Sequence, residues 1–378
     1  MSIYIFFLMS LFFICLSAYG RNVSNGFISF MFISLFIFSA FRYDVGVDFN
    51  AYLTIFSEPD KLYTQEKGFM LINSLLKNMG FSFQSVVILH SALTLFFVKK
   101  FIDQESKNIL LSVFIFFTYT PFFLGTFNTL RQALAIYIFL YATVYIRKRK
   151  FLQFLIIILL TSFFIHFSIL IVIPLYFFCH KKIAKNLKFI LCLLITLLGL
   201  CINPILEHTP YAIYLLVDLP DNILSPVFIF NIVVCTFILV FLKTEKDHEL
   251  IYNLCFFSLC LLILCVILRK SPVYIVISRI NEYFLPSIII LIPDLIFSKK
   301  NTKYSKLLYV GCLLVFGSIF ILSILLNGSA NGLVPYKNFV GSYQNTEIFD
   351  FCFFVSSFCF YAFFQLWSIK KYPILKSF

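Results

Sequence analysis

The sequence predicts an all-α, polytopic integral membrane protein with about 11 transmembrane helices and a short re-entrant-like helical hairpin over residues 151–178. Three observations carry that expectation. First, 61% of the 378 residues are hydrophobic, 20% are aromatic and only 12% are charged, with 53 Phe and a mean hydropathy of +0.97. Soluble domains run near half apolar and a quarter charged. Second, apolar runs of bilayer-crossing length recur along the whole chain. Third, most of the 30 Lys and Arg residues gather in the connections on one side of those runs. Together these exclude a soluble enzyme, a disordered chain and a secreted disulfide scaffold.

Taken in chain order, spans are expected at 2–19, 26–41, 82–98, 108–125, 129–146, 187–203, 226–242, 250–268, 281–297, 307–326 and 348–368. Each approaches the 17 to 20 or so apolar residues that a helix needs to cross hydrocarbon. Met1 to Tyr19 is apolar and lacks a basic leader, so it reads as a first membrane helix rather than a cleaved signal peptide. The 11 Cys fall within or beside apolar segments, as at Cys255, Cys260 and Cys265, and read as small packing residues.

The stretch from Phe151 to Phe178 is too long for a simple span, at about 42 Å as one helix. Arg147-Lys148-Arg149-Lys150 precedes it, and Lys181, Lys182, Lys185 and Lys188 follow. If both basic flanks stay cytoplasmic, the segment enters and leaves on one face as a hairpin with Ser162 to Ser168 at the tip. The alternative is one tilted span, which would invert the Lys/Arg bias of the whole C-terminal half, so the hairpin is preferred. Irregular backbone at such depth must be buried in protein or line a watery cavity.

With the hairpin in place, the N-terminus lies outside and the C-terminus inside. The cytoplasmic side then carries 21 Lys/Arg against 6 Asp/Glu, and the outer side 9 against 11, which accounts for the net charge of +13. The basic balance is an orientation signal, with anionic-lipid contact as a secondary consequence. Nucleic acid is not an expected partner. The chain reads as one integral membrane domain, 1–378, with outer loops at 42–81 and 327–347. No internal repeat, soluble insert or ATP-binding signature is visible.

The outer loops hold the candidate chemistry. Loop 42–81 contains Asp44, Asp48, Glu58, Asp60 and Glu66, and its second part, Gly68 to Met79, reads as a short interfacial helix with Phe69, Ile72, Leu75 and Leu76 on one face. Carboxylates at a membrane mouth suit general base work or cation binding. Asp44 and Asp48 are too far apart for a tight chelating pair, so no metal is expected. Arg131 and Gln132 open the 129–146 span, with Asn128 on the same helical face. Arg binds phosphate oxygens bidentately with its planar fork. Arg279, with Glu282 and Tyr283, repeats the pattern before the 281–297 span, and Arg42 lies on the same outer side. His166 sits at the hairpin tip, where an ionisable group is a functional candidate. His90, inside span 82–98, reads as structural. Loop 327–347 is rich in Gly, Asn and Ser around Asn327–Gly332. It offers Tyr336 as a ring that could stack on a sugar, or is a plain connector.

In their order, Arg42-Tyr43…Gly46-Val47-Asp48-Phe49…Tyr52, Glu66-Lys67-Gly68-Phe69, Arg131-Gln132-Ala133-Leu134-Ala135, Phe164-Ile165-His166-Phe167-Ser168, Arg279…Tyr283 and Pro335-Tyr336 resemble the EpsG family of Wzy-type O-antigen and surface-polysaccharide polymerases. Where that family often has Glu-Pro-Gly-Phe, this chain has Lys67, which keeps the carboxylate. The acidic first loop followed by an interfacial helix also looks like the opening of GT-C membrane glycosyltransferases, a fold-level analogy.

The resemblance implies a bacterial inner-membrane glycosyltransferase acting at the periplasmic face. It would join oligosaccharide repeat units carried on undecaprenyl pyrophosphate, without nucleotide or cofactor. A flippase and a chain-length regulator of the same pathway are the implied partners, besides membrane lipid. Asp48 is expected as the base, with Glu66 and His166 behind it. Arg131, Arg279 and Arg42 are expected to bind pyrophosphate, and Tyr52, Gln132, Tyr283 and Tyr336 to contact sugar or position charged groups. Rival readings are a lipid-linked oligosaccharide flippase and a GT-C enzyme using a polyprenyl-phosphate monosaccharide. An ion channel or pump would need carboxylates on successive spans, which are lacking.

Overall fold

The computed structural model describes residues 1–21, 23–59, 61, 66–179, 182–202, 204, 207–208, 212, 225–242, 248–297 and 302–339. The expected last span, 348–368, Asp60 and the cytoplasmic C-terminus lie outside the described residues. Within them the fold is all-helical, and the one β feature is an isolated bridge between Arg42 and Asn338.

The helices are α1 (Ser2–Ser17), α2 (Asn25–Ala40), α3 (Phe49–Ser57), α4 (Lys67–Asn78), α5 (Gln84–Glu105), α6 (Ile109–Thr118), α7 (Gly125–Asn128), α8 (Leu130–Arg147), α9 (Phe151–Phe164), α10 (Leu175–Phe178), α11 (Lys185–Leu200), α12 (Pro226–Phe241), α13 (Glu249–Ile267), α14 (Val273–Asn281), α15 (Ile288–Phe297) and α16 (Thr302–Asn327). Several begin on a side-chain cap that satisfies an orphan amide: Ser24 Oγ accepts from Phe27, Asn108 Oδ1 from Leu111, and Ser225 Oγ from Phe228. Among the described residues, four stretches are long and apolar enough to cross a membrane by length and composition: Gln84–Glu105, Glu249–Ile267, Val273–Phe297 and Tyr304–Asn327. Shorter apolar helices include Ser2–Ser17, Asn25–Ala40 and Pro226–Phe241.

The chain packs as two compact units. The first comprises Met1–Tyr137, Phe163–Phe167 and the described part of Lys300–Phe378. In it α2 lies along α5, α1 and α16 pack on α6, and α3 and α4 pair and cover α5. A cluster of Phe49, Ile55, Phe56, Phe69, Met70, Phe83, Val86, Val87 and Leu130 cements the two short helices to α5 and the start of α8. The second unit comprises Ile138–Ser162 and Ser168–Lys299. There α13 is central, touching α11, α12, α14 and α15.

Residues 151–178 do form a bent-back element. Helix α9 ends at Phe164, Ile165 and His166 are irregular, and a 3-10 turn over Phe167–Val172 leads into α10. The two ends meet: the Phe151 ring lies 4.9 Å from Tyr176 and 5.6 Å from Phe177. A single helix would hold those rings tens of ångströms apart.

Four expectations need correction. Span 108–125 is interrupted, because α6 ends at Thr118 and a turn separates it from α7. Span 281–297 begins earlier, at Val273, so Arg279 stands in the last turn of α14 rather than in a loop. A short helix does form there, as α4, but its face is rotated: Phe69, Met70 and Asn73 face inward, while Leu71, Leu75 and Met79 are exposed. Helix α3 was not expected, although Phe49, Tyr52, Leu53 and Phe56 repeat at helical spacing.

The 327–339 segment is more than a connector. Gly46 N–H donates to Gly332 O at 2.8 Å, Tyr43 N–H to Lys337 O at 3.0 Å, and Phe339 N–H to Phe41 O at 2.8 Å. Gly46 and Gly332 both have positive φ, at +104° and +64°. A Cβ on Gly332 would lie 3.0 Å from Gly46 C and Val47 N, so the two strands of loop approach as only glycine permits.

Candidate functional site

Glu66 gathers Arg131 and His166 in the first unit. It sits at the N-cap of α4, where the chain turns into the helix. Its Oε2 accepts from Arg131 Nη1 at 2.7 Å. Its Oε1 accepts from the Phe167 backbone N–H at 2.9 Å and lies 3.3 Å from His166 Nδ1. One carboxylate thus joins three segments: the start of α4, the first turn of α8, and the tip residues 166–167.

The Glu66-Lys67-Gly68-Phe69 run explains how. Gly68 packs against the tip so closely that a Cβ there would lie 2.7 Å from Phe163 O and 2.8 Å from Phe164 Cα. Phe69 is fully buried and lies under the Arg131 guanidinium, 4.9 Å from ring centroid to Cζ. Lys67 points outward. The carboxylate, the close approach and the aromatic floor are set by three residues of one motif.

The site is largely shielded, with side-chain exposures of 7% for Glu66, 16% for Arg131 and 17% for His166. Burial pushes the Glu66 carboxyl up, but the Arg131 guanidinium, the Phe167 amide and His166 outweigh it. The net effect holds Glu66 below the usual carboxylate range, so it stays ionised and acts as an acceptor. A carboxylate at Nδ1 fixes the His166 ring and turns Nε2 to the opposite side. Arg131 Nε is buried without a hydrogen-bond partner among the described atoms. Tyr52, one turn after the N-cap residue Asp48, brings its ring to 5.8 Å from the guanidinium carbon.

Arg131, Glu66, His166 and Tyr52, all expected from sequence, are therefore brought together. Asp48 stands at the N-cap of α3, half-buried, and Gln132 is buried in the first turn of α8. Asn128 does not share a helix face with Arg131, because the chain breaks at Thr129. Its Oδ1 instead accepts from Val47 N–H at 2.7 Å, pinning the loop before α3.

Three further expected residues are held by packing contacts. Arg42 is only 2% exposed and donates from Nη1 to Ser39 O, Ser39 Oγ and Ser91 Oγ, with Phe127 4.4 Å below its guanidinium. Burial pushes its pKa down to about 10, while the phenols of Tyr336, Tyr4 and Tyr52 oppose the shift. It ties α2 to α5. Tyr336 stacks on Phe38 at 4.7 Å and donates to Phe38 O at 2.6 Å, so ring and hydroxyl are both committed. Tyr283, in the second unit, is fully buried and hydrogen-bonds Ser168 Oγ at 2.7 Å. Arg279 belongs to the same unit and lies 3.8 Å from Glu282, a half-buried i,i+3 pair worth a few tenths of a kcal/mol.

Missed by sequence reading were the Phe167 amide, Gly68 and Phe69. A backbone donor leaves no signature in residue type. Gly68 beside a helix start was a legible signal of close approach. Among the described residues no cluster of three or more His, Cys, Asp or Glu forms a metal site.

Among the described residues, the all-helical fold with bilayer-length apolar helices is that of a membrane protein, and a shielded Arg–Glu–His cluster lies at its helix ends. The model of the EpsG family matches residues 25–338. The chain belongs to that family, whose members are membrane proteins resembling Wzy-type polysaccharide polymerases. No curated protein and no solved structure matches it.

Proposed function

We propose that this chain is an oligosaccharide repeat unit polymerase, a glycosyltransferase of the bacterial inner membrane. It would have about 11 spans in a GT-C-like arrangement, with its C-terminus in the cytoplasm. Its substrates are repeat units on undecaprenyl pyrophosphate, joined at the periplasmic face into O-antigen or capsule-type polysaccharide. The observation that carries this reading is the Glu66 carboxylate holding Arg131 and His166 together, in a chain of the EpsG family.

The chemistry follows from those groups. An acceptor hydroxyl attacks the anomeric carbon of the donor chain, the new glycosidic bond forms, and the bond to pyrophosphate breaks. His166 Nε2 takes the hydroxyl proton. Arg131 receives the charge that develops on the departing pyrophosphate. Glu66 fixes both and stays ionised, so the base assignment moves from Asp48 to His166. Asp48, with Tyr52 and Gln132, is assigned to the acceptor sugar. The pyrophosphate is a good leaving group, so no nucleotide is required.

The test is deletion of the gene in its native host, followed by electrophoresis of surface glycan. A single-repeat product that regains its ladder on complementation supports polymerase. Loss of all surface glycan with intermediates held inside supports the flippase reading instead.

A further inference from the structure

The first outer loop carries an aromatic ring that the charged site does not use. Tyr43 is 38% exposed although its backbone is clamped, its N–H donating to Lys337 O at 3.0 Å. Phe49 and Phe339 brace the ring at 5.5 and 6.1 Å. The next residue, Asp44, has φ of +52° and forms an ion pair with Lys337. Both charged side chains stay open to solvent, at 41% and 49% exposure. A lipid-facing ring would be bordered by apolar groups, not by a half-exposed carboxylate and ammonium.

We propose that Tyr43 and the Asp44–Lys337 pair form a sugar subsite for the glycan of the substrate. The inference rests on the polymerase reading and adds to it where the sugar binds. A pyranose has one face of C–H groups, which packs on an aromatic ring, and a rim of hydroxyls, which need both donors and acceptors. Tyr43 supplies the first, and Asp44 with Lys337 supplies the second. The clamped loops hold the three side chains in place before any ligand arrives, which lowers the ordering cost of binding. The loop then runs through Val47, pinned by Asn128, to Asp48 and on to Tyr52 beside Arg131. A substrate with its pyrophosphate at Arg131 lays its sugars along that loop. Tyr43 takes over the stacking role that Tyr336 cannot play.

The experiment complements a deletion strain with wild type, Tyr43→Phe, Tyr43→Leu, Lys337→Gln and Arg131→Ala, at matched membrane levels by immunoblot. Tyr43→Leu keeps bulk against Phe49 and Phe339 and removes the ring. Wild type and Tyr43→Phe are expected to give full ladders, Tyr43→Leu and Lys337→Gln about fivefold less polymer, and Arg131→Ala a single repeat. In parallel, the lipid-free repeat-unit oligosaccharide released from the host's glycan is tested on purified protein by saturation-transfer-difference NMR. Signals should persist in Arg131→Ala and vanish in Tyr43→Leu. Full ladders from both Tyr43→Leu and Lys337→Gln, or NMR signals unchanged in Tyr43→Leu, overturn the subsite and leave the polymerase reading standing. A full ladder in the deletion strain itself overturns the polymerase reading first.

Discussion

Arg131 donates from Nη1 to Glu66 Oε2 at 2.7 Å, across 65 residues of sequence and with both side chains mostly out of water. A pair in that setting is costly to break on one side. Removing Glu66 leaves a buried guanidinium uncompensated, at about 3–5 kcal/mol. It also frees the Phe167 amide and the His166 ring. Glu66→Gln is expected to keep part of the amide contact and still lose the ladder, with a lower melting temperature in detergent. A Glu66→Gln protein as stable and as active as wild type would contradict the role of the pair.

Arg131→Lys tests geometry separately from charge. Lysine keeps the positive charge but loses the planar fork and its seat over Phe69 and Tyr52. Polymer output should fall nearly as far as with Arg131→Ala. Near-normal polymer length from Arg131→Ala cells would remove Arg131 from the mechanism.

Gly68→Ala tests the close approach. The added Cβ would meet backbone atoms of Phe163 and Phe164 below 3.0 Å, and backbone cannot swing away as a flexible side chain does. We expect a stability loss of about 1–3 kcal/mol. Polymer should fall further than that loss explains, because Glu66 shifts from His166. Polymer output at wild-type protein levels reports the difference.

The Glu66 titration gives a pH window. Its folded pKa is depressed, so the pairing contributes fully above the unfolded carboxyl value of about 4.3 and is lost as pH falls through the folded value. The melting-temperature gap between wild type and Glu66→Gln should therefore close as pH falls below about 4. A gap that keeps widening below that pH would reverse the assigned sign.

Tyr336→Phe separates packing from binding. It removes a hydroxyl that donates to Phe38 O but keeps the ring stacked. The expected cost is about 1 kcal/mol in stability with the ladder intact. Loss of the ladder at normal protein levels would restore Tyr336 to the substrate site.

Much of this architecture was legible because hydrophobicity alone sets it. Most helix positions follow from apolar run length, and the hairpin from the charges flanking 151–178, which the Phe151–Tyr176 contact bears out. Arg131, Glu66 and His166 could be singled out as polar groups in costly places. Their grouping around Glu66 could not, since it depends on a glycine contact and a backbone amide at positions 68 and 167. The packing of Arg42 and Tyr336 was hidden for the opposite reason. Residue type announces binding potential, but their hydrogen bonds to Ser39, Ser91 and Phe38 already consume it. The turn of α4 was misread because Leu75 fits an apolar face in sequence yet faces outward in the fold.

The most direct measurement is polymerisation by the purified protein in liposomes, supplied only with lipid-linked repeat units from the host. Wild type should convert them into a ladder of lengthening products without nucleotide, and Arg131→Ala should leave them as single repeats. Wild-type protein that produces no linkage, but carries the same lipid-linked units across the bilayer, would contradict the account and make the chain a flippase.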